Sequence, residues 1–228
     1  MQLDGLSGAT IIFDLDGTLA DTAPDIRDHA NAVLASIGLP PLDLPAVRGM
    51  IGLGARALLI GATRHGGRDL TDTELDMLAE LFRQRAEAGP VRRTTVYPGV
   101  VGALRTLKEA GARLAVCTNK HAPVARAVLA ALDLLPWFDG VAGGGDGPAN
   151  KPDPRHLELA VSRAGGVISR AVMVGDARPD VMAARAAGIP VIVSATGYGT
   201  EKAPALGADA IFTHFDEVPG LVQRLLSR

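Results

Sequence analysis

The sequence predicts an α/β fold, a doubly wound parallel sheet interrupted after its first strand by a small all-helical insert. Three observations predict it. Short apolar runs rich in β-branched residues (Ile11 to Phe13, Arg113 to Cys117, Ala171 to Val174) alternate with helical patterns from Thr95 onward. Such alternation implies a parallel sheet covered on both faces. Between about Asp21 and Arg92 no strand signal occurs and the spacing is helical throughout. Ala and Gly are plentiful and aromatics make up only 4%, which suits closely packed helix–sheet layers.

Taken in order, Ile11-Ile12-Phe13 reads as a buried strand that delivers Asp14 and Asp16, followed by Gly17 and Thr18. Strand alternation puts the two carboxylates on the same side, and the chain breaks at Gly17. Pro24 suits a first helical turn, and Ile26, Ala30, Val33, Leu34 and Ile37 then follow helical spacing until Gly38. A short helix is expected over 44–50, a flexible turn over Ile51-Gly52-Leu53-Gly54-Ala55-Arg56, and a helix after it. Thr71-Asp72-Thr73-Glu74 has the form of a capping box, and Leu75, Leu78 and Phe82 mark the helix it opens. The domains expected are a Rossmann-like core of residues 1–20 and 93–228 and a helical cap of residues 21–92. Further strands are expected at 113–117, 138–142, 171–174, 190–193 and 210–212, with helices between them.

Composition narrows the function. A net charge of -2 argues against a nucleic-acid surface or a polybasic membrane patch. No apolar run reaches membrane-spanning length and no export signal is visible, and Cys117 is the single cysteine; a cytoplasmic monomer or homodimer is expected. Lysine is scarce: Lys108, Lys120, Lys151 and Lys202 only.

In open parallel sheets ligands bind beyond the carboxyl ends of the strands. There the first strand offers Asp14 and Asp16, the second Thr118 and Asn119, the loop after the third Lys151, and the fourth Asp176 and Asp180. Clustered carboxylates call for a hard cation such as Mg²⁺. With a hydroxyl and an ammonium they form equipment for moving a phosphoryl group. Individually each residue has a plain reading. Asp-Gly-Thr is ordinary turn chemistry, Thr118 can cap a helix, Asp180 suits a first helical turn, and Cys117 reads as a small core residue. Of the five histidines only His121 is placed by the sequence to touch a ligand.

Phe13-Asp14-Leu15-Asp16-Gly17-Thr18-Leu19, Thr118-Asn119, Lys151-Pro152 and Gly175-Asp176-x-x-x-Asp180 resemble the four motifs of the haloacid dehalogenase superfamily, in order and over nearly the whole chain. The helical insert resembles that superfamily's small cap. Tyr97-Pro98-Gly99, with Val47-Arg48 through Gly52-Leu53-Gly54, resembles its phosphoglycolate phosphatase branch. The resemblance implies a Mg²⁺-dependent phosphatase acting on a small phosphorylated metabolite. In it Asp14 is the nucleophile and a metal ligand. Asp16 ligates through its backbone carbonyl and serves as acid and base through its side chain. Thr118 and the Asn119 amide hold phosphate oxygens, Lys151 neutralises charge, Asp176 completes the protein ligands, and Asp180 orders them. One departure stands out, because Ala177 occupies a position where the family commonly has Ser or Thr.

Several related chemistries are less compatible. Dehalogenases of this fold lack the second acid of the pair, which is present here as Asp16. Phosphonatases need a cap lysine, and none occurs from Asp21 to Arg93. A sugar-phosphate phosphatase or phosphomutase shares the motif set and stays open. A receiver-like signalling module would accept phosphate after its third strand, where this chain has Gly143-Gly144-Gly145. For the substrate, Gly52 and Gly54 permit close backbone approach and Arg48 and Arg56 flank them. The expectation is that this cap loop grips the carboxylate of phosphoglycolate.

Overall fold

The computed structural model describes residues 6–89, 91–199 and 203–227; the outer limits of the expected core, at 1 and 228, and Lys202 lie outside them. Strands β1 (Thr10–Phe13), β4 (Arg113–His121), β5 (Gly140–Gly144), β6 (Ala171–Gly175), β7 (Val191–Ser194) and β8 (Ala210–Phe212) form one parallel sheet in the order β5-β4-β1-β6-β7-β8. The chain winds outward from β1 through β4 to β5, then returns to the other side of β1 through β6. Strand order therefore reverses beside β1, and the carboxyl ends of β1, β4 and β6 meet there, with Phe13 level with Val116 on one side and Val174 on the other.

Alternation along the strands divides the core into two layers. Ile11, Phe13, Leu114, Val116, Val172 and Val174 face one way. They pack against α5 (Val100–Glu109), α6 (Ala122–Ala131) and α9 (Val218–Leu226), through residues such as Leu104, Val128 and Val222. Ile12, Ala115, Cys117 and Met173 face the other way, onto Leu157 and Val161 of α7 (Pro154–Arg163) and Val181 and Ala184 of α8 (Arg178–Ala186). Burial on both faces is why these strands read as continuous apolar runs rather than alternating ones. Cys117 is a buried member of this core, and burial pushes its thiol pKa up, so it stays protonated and unreactive.

Helices α1 (Ala23–Ser36), α2 (Leu44–Arg48), α3 (Ala55–His65) and α4 (Asp72–Ala88) surround their own apolar cluster, which includes Val33, Leu34, Leu59, Ala62 and Phe82. Thr71 caps α4 in a capping box with Glu74, and Asp43 caps α2 through the Ala46 amide. Asp25, buried in α1, ties this unit to the returning chain. Its carboxylate accepts the amide hydrogens of Arg92, Arg93 and Thr94 and the Thr94 hydroxyl.

The structure departs from the sequence expectations in four places. β2 (Ala20–Asp21) and β3 (Thr95–Val96) pair antiparallel at the junctions of the helical unit, and two-residue strands are too short to leave a periodic signal. Helix α2 ends at Arg48 rather than at residue 50. The strand expected at 138–142 lies at Gly140–Gly144, because residues 135–137 form a 3₁₀ turn. Gly143 and Gly144 remain within that strand since a side chain there would collide with Ala122 and with the Asn119 carbonyl. β4 continues to His121, with a register shift after Cys117, which carries Thr118, Asn119 and Lys120 past the sheet edge. No helix of the described residues is long and apolar enough to cross a membrane.

Candidate active site

The site is built on the turn that follows β1. The Asp14 amide donates to the Val174 carbonyl, so the turn leaves the sheet still tied to β6. Asp14 Oδ1 accepts the Leu15 amide (2.7 Å) and the Lys151 ammonium (3.0 Å). Thr22 begins α1, yet its hydroxyl does not cap the helix; it donates instead to Asp16 (2.6 Å). Asp16 also takes Lys120 Nζ at 2.9 and 3.0 Å, one oxygen each.

At the end of β6, Asp176 Oδ1 accepts the Thr18 hydroxyl (2.8 Å) and Oδ2 the Tyr198 amide (2.7 Å). Gly17, at φ +84°, and Gly197 clear the space for it. A Cβ on Gly17 would stand 2.5 Å from Asp176 Oδ2, and one on Gly197 2.1 Å from Asp176 Cβ. Asp180 turns back from α8 to accept the amides of Asp176 (3.1 Å) and Ala177 (3.0 Å) through Oδ2, while Oδ1 takes Lys151 Nζ (2.7 Å). Its carboxylate therefore secures both the β6 turn and the lysine. Ala177 opens α8 without a side-chain oxygen, and Asp180 satisfies its amide.

Lys151 is fully enclosed. Its ammonium also donates to the Cys117 carbonyl, and its amide is shared between Asn119 Oδ1 (2.9 Å) and His156 Nδ1 (3.3 Å). Burial opposes the lysine's charge, but Asp14 and Asp180 more than offset that, so its pKa lies above the ordinary lysine range. Burial is likewise the main cause that pushes Asp14 up to about 6, with Lys151 pulling back and Asp180 and Asp16 adding repulsion. Asp176 is raised well above the usual carboxylate range by burial first, then by Asp180 and Asp14. Ligand atoms of Asp14, Asp176 and Asp180 lie within 4.8 Å of one another. Three buried carboxylates against one ammonium leave two negative charges uncompensated, and isolated buried charges cost several kcal/mol each. The donors are all oxygens. This is the chemistry of a site for a hard divalent cation.

Above these residues lies a cavity of about 60 Å³ between the sheet edge and the helical unit. Its floor is Asp14, Asp16, Thr118, Asn119 and Lys120, and its walls include Ile26, Leu58, Phe82 and Val128. Thr118 Oγ accepts the Lys120 amide (3.2 Å), which leaves the hydroxyl hydrogen available to a ligand. The Asn119 side chain is consumed structurally: it donates to the carbonyls of Gly52 (2.8 Å) and Lys151 (2.9 Å).

Gly52 and Gly54 line the cavity, and a Cβ on Gly54 would press the Asn119 carbonyl at 3.3 Å. The two arginines expected to flank them do not enter it. Arg56 is captured by Asp72 and Asp76 of α4 on the outer surface, the latter at 3.0 Å. Arg48 pairs with Asp21 (2.8 Å) and lies over the Tyr198 ring, 5.7 Å from its centroid. Acid partners elsewhere in the fold thus claim both guanidinium groups. Four residues to which the sequence assigned no role take part in this region. Lys120 bonds Asp16, His29 lines the cavity beside His121, His156 holds the Lys151 amide, and Tyr198 holds Asp176. Only Lys120, next to Thr118-Asn119, carried a local signal.

The fold and this strand-end constellation define a class, and the family model for haloacid dehalogenase-like hydrolases matches residues 9–188. The chain belongs to that family. It is 44% identical to phosphoglycolate phosphatase of Caulobacter vibrioides, over 99% of this chain and 95% of that protein. It is 38% identical to phosphoglycolate phosphatase of Mesorhizobium japonicum, over 97% and 98%. Among solved structures it resembles a predicted phosphoglycolate phosphatase from Haemophilus somnus, with a TM-score of 0.85, 29% identity and coverage of 93% and 97%.

Proposed function

We propose that this protein is a phosphatase that hydrolyses 2-phosphoglycolate through an aspartyl-phosphate on Asp14, with residues 21–92 acting as the cap over a core of 1–20 and 93–228. The observation that carries the reading is the convergence of Asp14, Asp176, Asp180 and Lys151 beneath a small cavity. Full-length similarity to two phosphoglycolate phosphatases supports the substrate. A cavity of about 60 Å³ suits a small ester better than a nucleotide.

Asp14 attacks phosphorus while the bond to the leaving alcohol breaks. Asp16, hydrogen-bonded at the cavity floor, gives its proton to the departing oxygen and then takes one from the water that opens the acyl phosphate. Inorganic phosphate leaves and Asp14 is regenerated. Thr118 donates its hydroxyl to a phosphate oxygen, joined by the backbone amide of Asn119, and Lys151 balances charge beside the nucleophile. Asp14, Asp176 and the backbone carbonyl of Asp16 would hold Mg²⁺, which supplies positive charge to the phosphoryl oxygens. Asp180 keeps Asp176 and Lys151 in place, accepting the Asp176 amide through one oxygen and the Lys151 ammonium through the other.

A panel of phosphoglycolate, sugar phosphates, nucleotides and pyrophosphate tests the substrate. Phosphoglycolate should give the highest kcat/KM, and a sugar phosphate ahead of it would overturn the assignment. Asp14→Asn should abolish turnover with the fold intact, since an amide has the shape of the carboxylate without its nucleophilic charge. Activity comparable to the parent, on protein free of deamidation, would refute the aspartyl-phosphate route.

A further inference from the structure

With the arginines of the cap excluded, the cavity needs another cation for any anionic leaving group. Four basic side chains line it: Lys120, Arg83, His29 and His121. Arg83 is held by Glu80 at 2.6 Å, and His121 faces Glu87 at 3.5 Å and the Gly144 carbonyl. Both are committed to groups other than a ligand. Lys120 differs. It is 11% exposed, and its ammonium donates to the two oxygens of Asp16. An ammonium has three hydrogens to donate, so two bonds to Asp16 leave one for the cavity.

We propose that Lys120, assisted by His29, recognises a carboxylate borne on the carbon next to the leaving oxygen. This rests on the phosphatase reading above and specifies its substrate class. Asp16 must reach the leaving oxygen to protonate it, and Lys120 Nζ lies one hydrogen bond from Asp16. A carboxylate attached to the same carbon as that oxygen therefore arrives beside the ammonium. One carried further along a chain is set off from that ammonium, in a cavity also lined by Ile51, Leu58 and Phe82, against which an unpartnered charge is strongly disfavoured.

His29 is the second, independent observation. Its Nε2 is buried and without a hydrogen-bond partner, although the ring lines the same cavity. Thr10 Oγ1, Arg48 Nε and His156 Nε2 are also buried without a partner, but only His29 Nε2 belongs to a residue that lines this cavity, and a buried polar atom aimed into a cavity points to a ligand. Burial, partly countered by Asp25, lowers the imidazole pKa, which keeps the ring neutral at pH 7. A neutral imidazole can donate one N–H to a carboxylate oxygen, while Lys120 supplies the charge.

The experiment compares kcat/KM for 2-phosphoglycolate, 3-phosphooxypropionate and ethyl phosphate in the parent, Lys120→Met, Lys120→Arg and His29→Leu. The parent should rank the three esters in that order. Lys120→Met should reduce the preference for phosphoglycolate over ethyl phosphate on the order of 10- to 100-fold, the range for losing a hydrogen bond to a charged group. Lys120→Arg should keep more of that preference than Lys120→Met, and His29→Leu should lower it to a smaller extent. A lysine that serves only to position Asp16 would slow both esters alike and leave their ratio unchanged. That outcome overturns the inference while leaving phosphoglycolate as substrate. A parent that does not prefer phosphoglycolate overturns both. Should Lys120→Met not fold, as read by its thermal transition, the His29→Leu ratio decides, and an unchanged preference there refutes the proposed pair.

Discussion

Asp25 is where a single side chain holds the two junctions of the helical unit together, and its removal has a computable cost. Its carboxylate accepts the amides of Arg92 (3.0 Å), Arg93 (3.0 Å) and Thr94 (2.9 Å) and the Thr94 hydroxyl (2.7 Å). In Asp25→Ala, water can replace the partner of Arg92 and Arg93, which are exposed. Thr94 is buried, so its amide and hydroxyl would be stranded. Each buried unsatisfied group costs about 1–3 kcal/mol, so the expected loss is about 3 kcal/mol. For a chain of this size that corresponds to a fall in Tm of roughly 6–12 °C.

Urea and thermal unfolding at pH 7 measure this directly. The pH dependence supplies a second check. Burial raises the Asp25 pKa, but the amides of Arg92, Arg93 and Thr94 and the Thr94 hydroxyl outweigh it, and the net value lies below the ordinary carboxylate range. A depressed folded pKa means that the stabilisation is fully present above the unfolded value of about 3.9 and is lost as pH falls through the folded one. The gap between parent and variant should therefore be constant from neutral pH down to about pH 5 and close below about pH 4. A loss under about 0.5 kcal/mol, the usual size for a surface substitution, would refute the reasoning, as would a gap that widens in acid.

Other outcomes follow from the same geometry. Asp16→Asn should slow turnover on the order of 10²–10⁴-fold, as read in steady-state kinetics, with Mg²⁺ affinity retained because only the backbone carbonyl would ligate. Chelation should silence the parent and added Mg²⁺ restore it; activity that survives exhaustive chelation would contradict the metal assignment. Gly197→Ala would place a methyl 2.1 Å from Asp176 Cβ. It should raise the Mg²⁺ concentration for half-maximal activity about 10–100-fold, the range for disturbing groups that orient metal ligands, and an unchanged titration would argue against it. Ala177→Ser should stay within about threefold in rate, because Asp180 already satisfies the local amides; a larger gain would reveal a weakened ligand shell.

Much of this protein was legible before folding. The strands were readable because burial on both faces makes each an apolar run, and Asp14, Asp16, Thr118, Asn119, Lys151, Asp176 and Asp180 each follow such a run or its adjoining loop. In a parallel sheet those positions share one edge, so local patterns sufficed to assemble most of the floor. Tertiary structure alone decided which cation reaches the cavity. Arg48 and Arg56 stand beside the glycine loop in sequence, yet Asp21, Asp72 and Asp76, contributed by other elements, draw them away. Lys120 enters because β4 runs past the sheet edge after a register shift, and Asp16 lies across from it. The amide of Tyr198 on Asp176 and the carboxylate of Asp25 on the 92–94 segment belong to the same category. Each joins residues far apart in the chain through a backbone group, and a backbone donor is the same at every residue, so no residue type announces it. Periodicity records which face a side chain turns to the core; only the folded chain records which opposite charge stands closest to it.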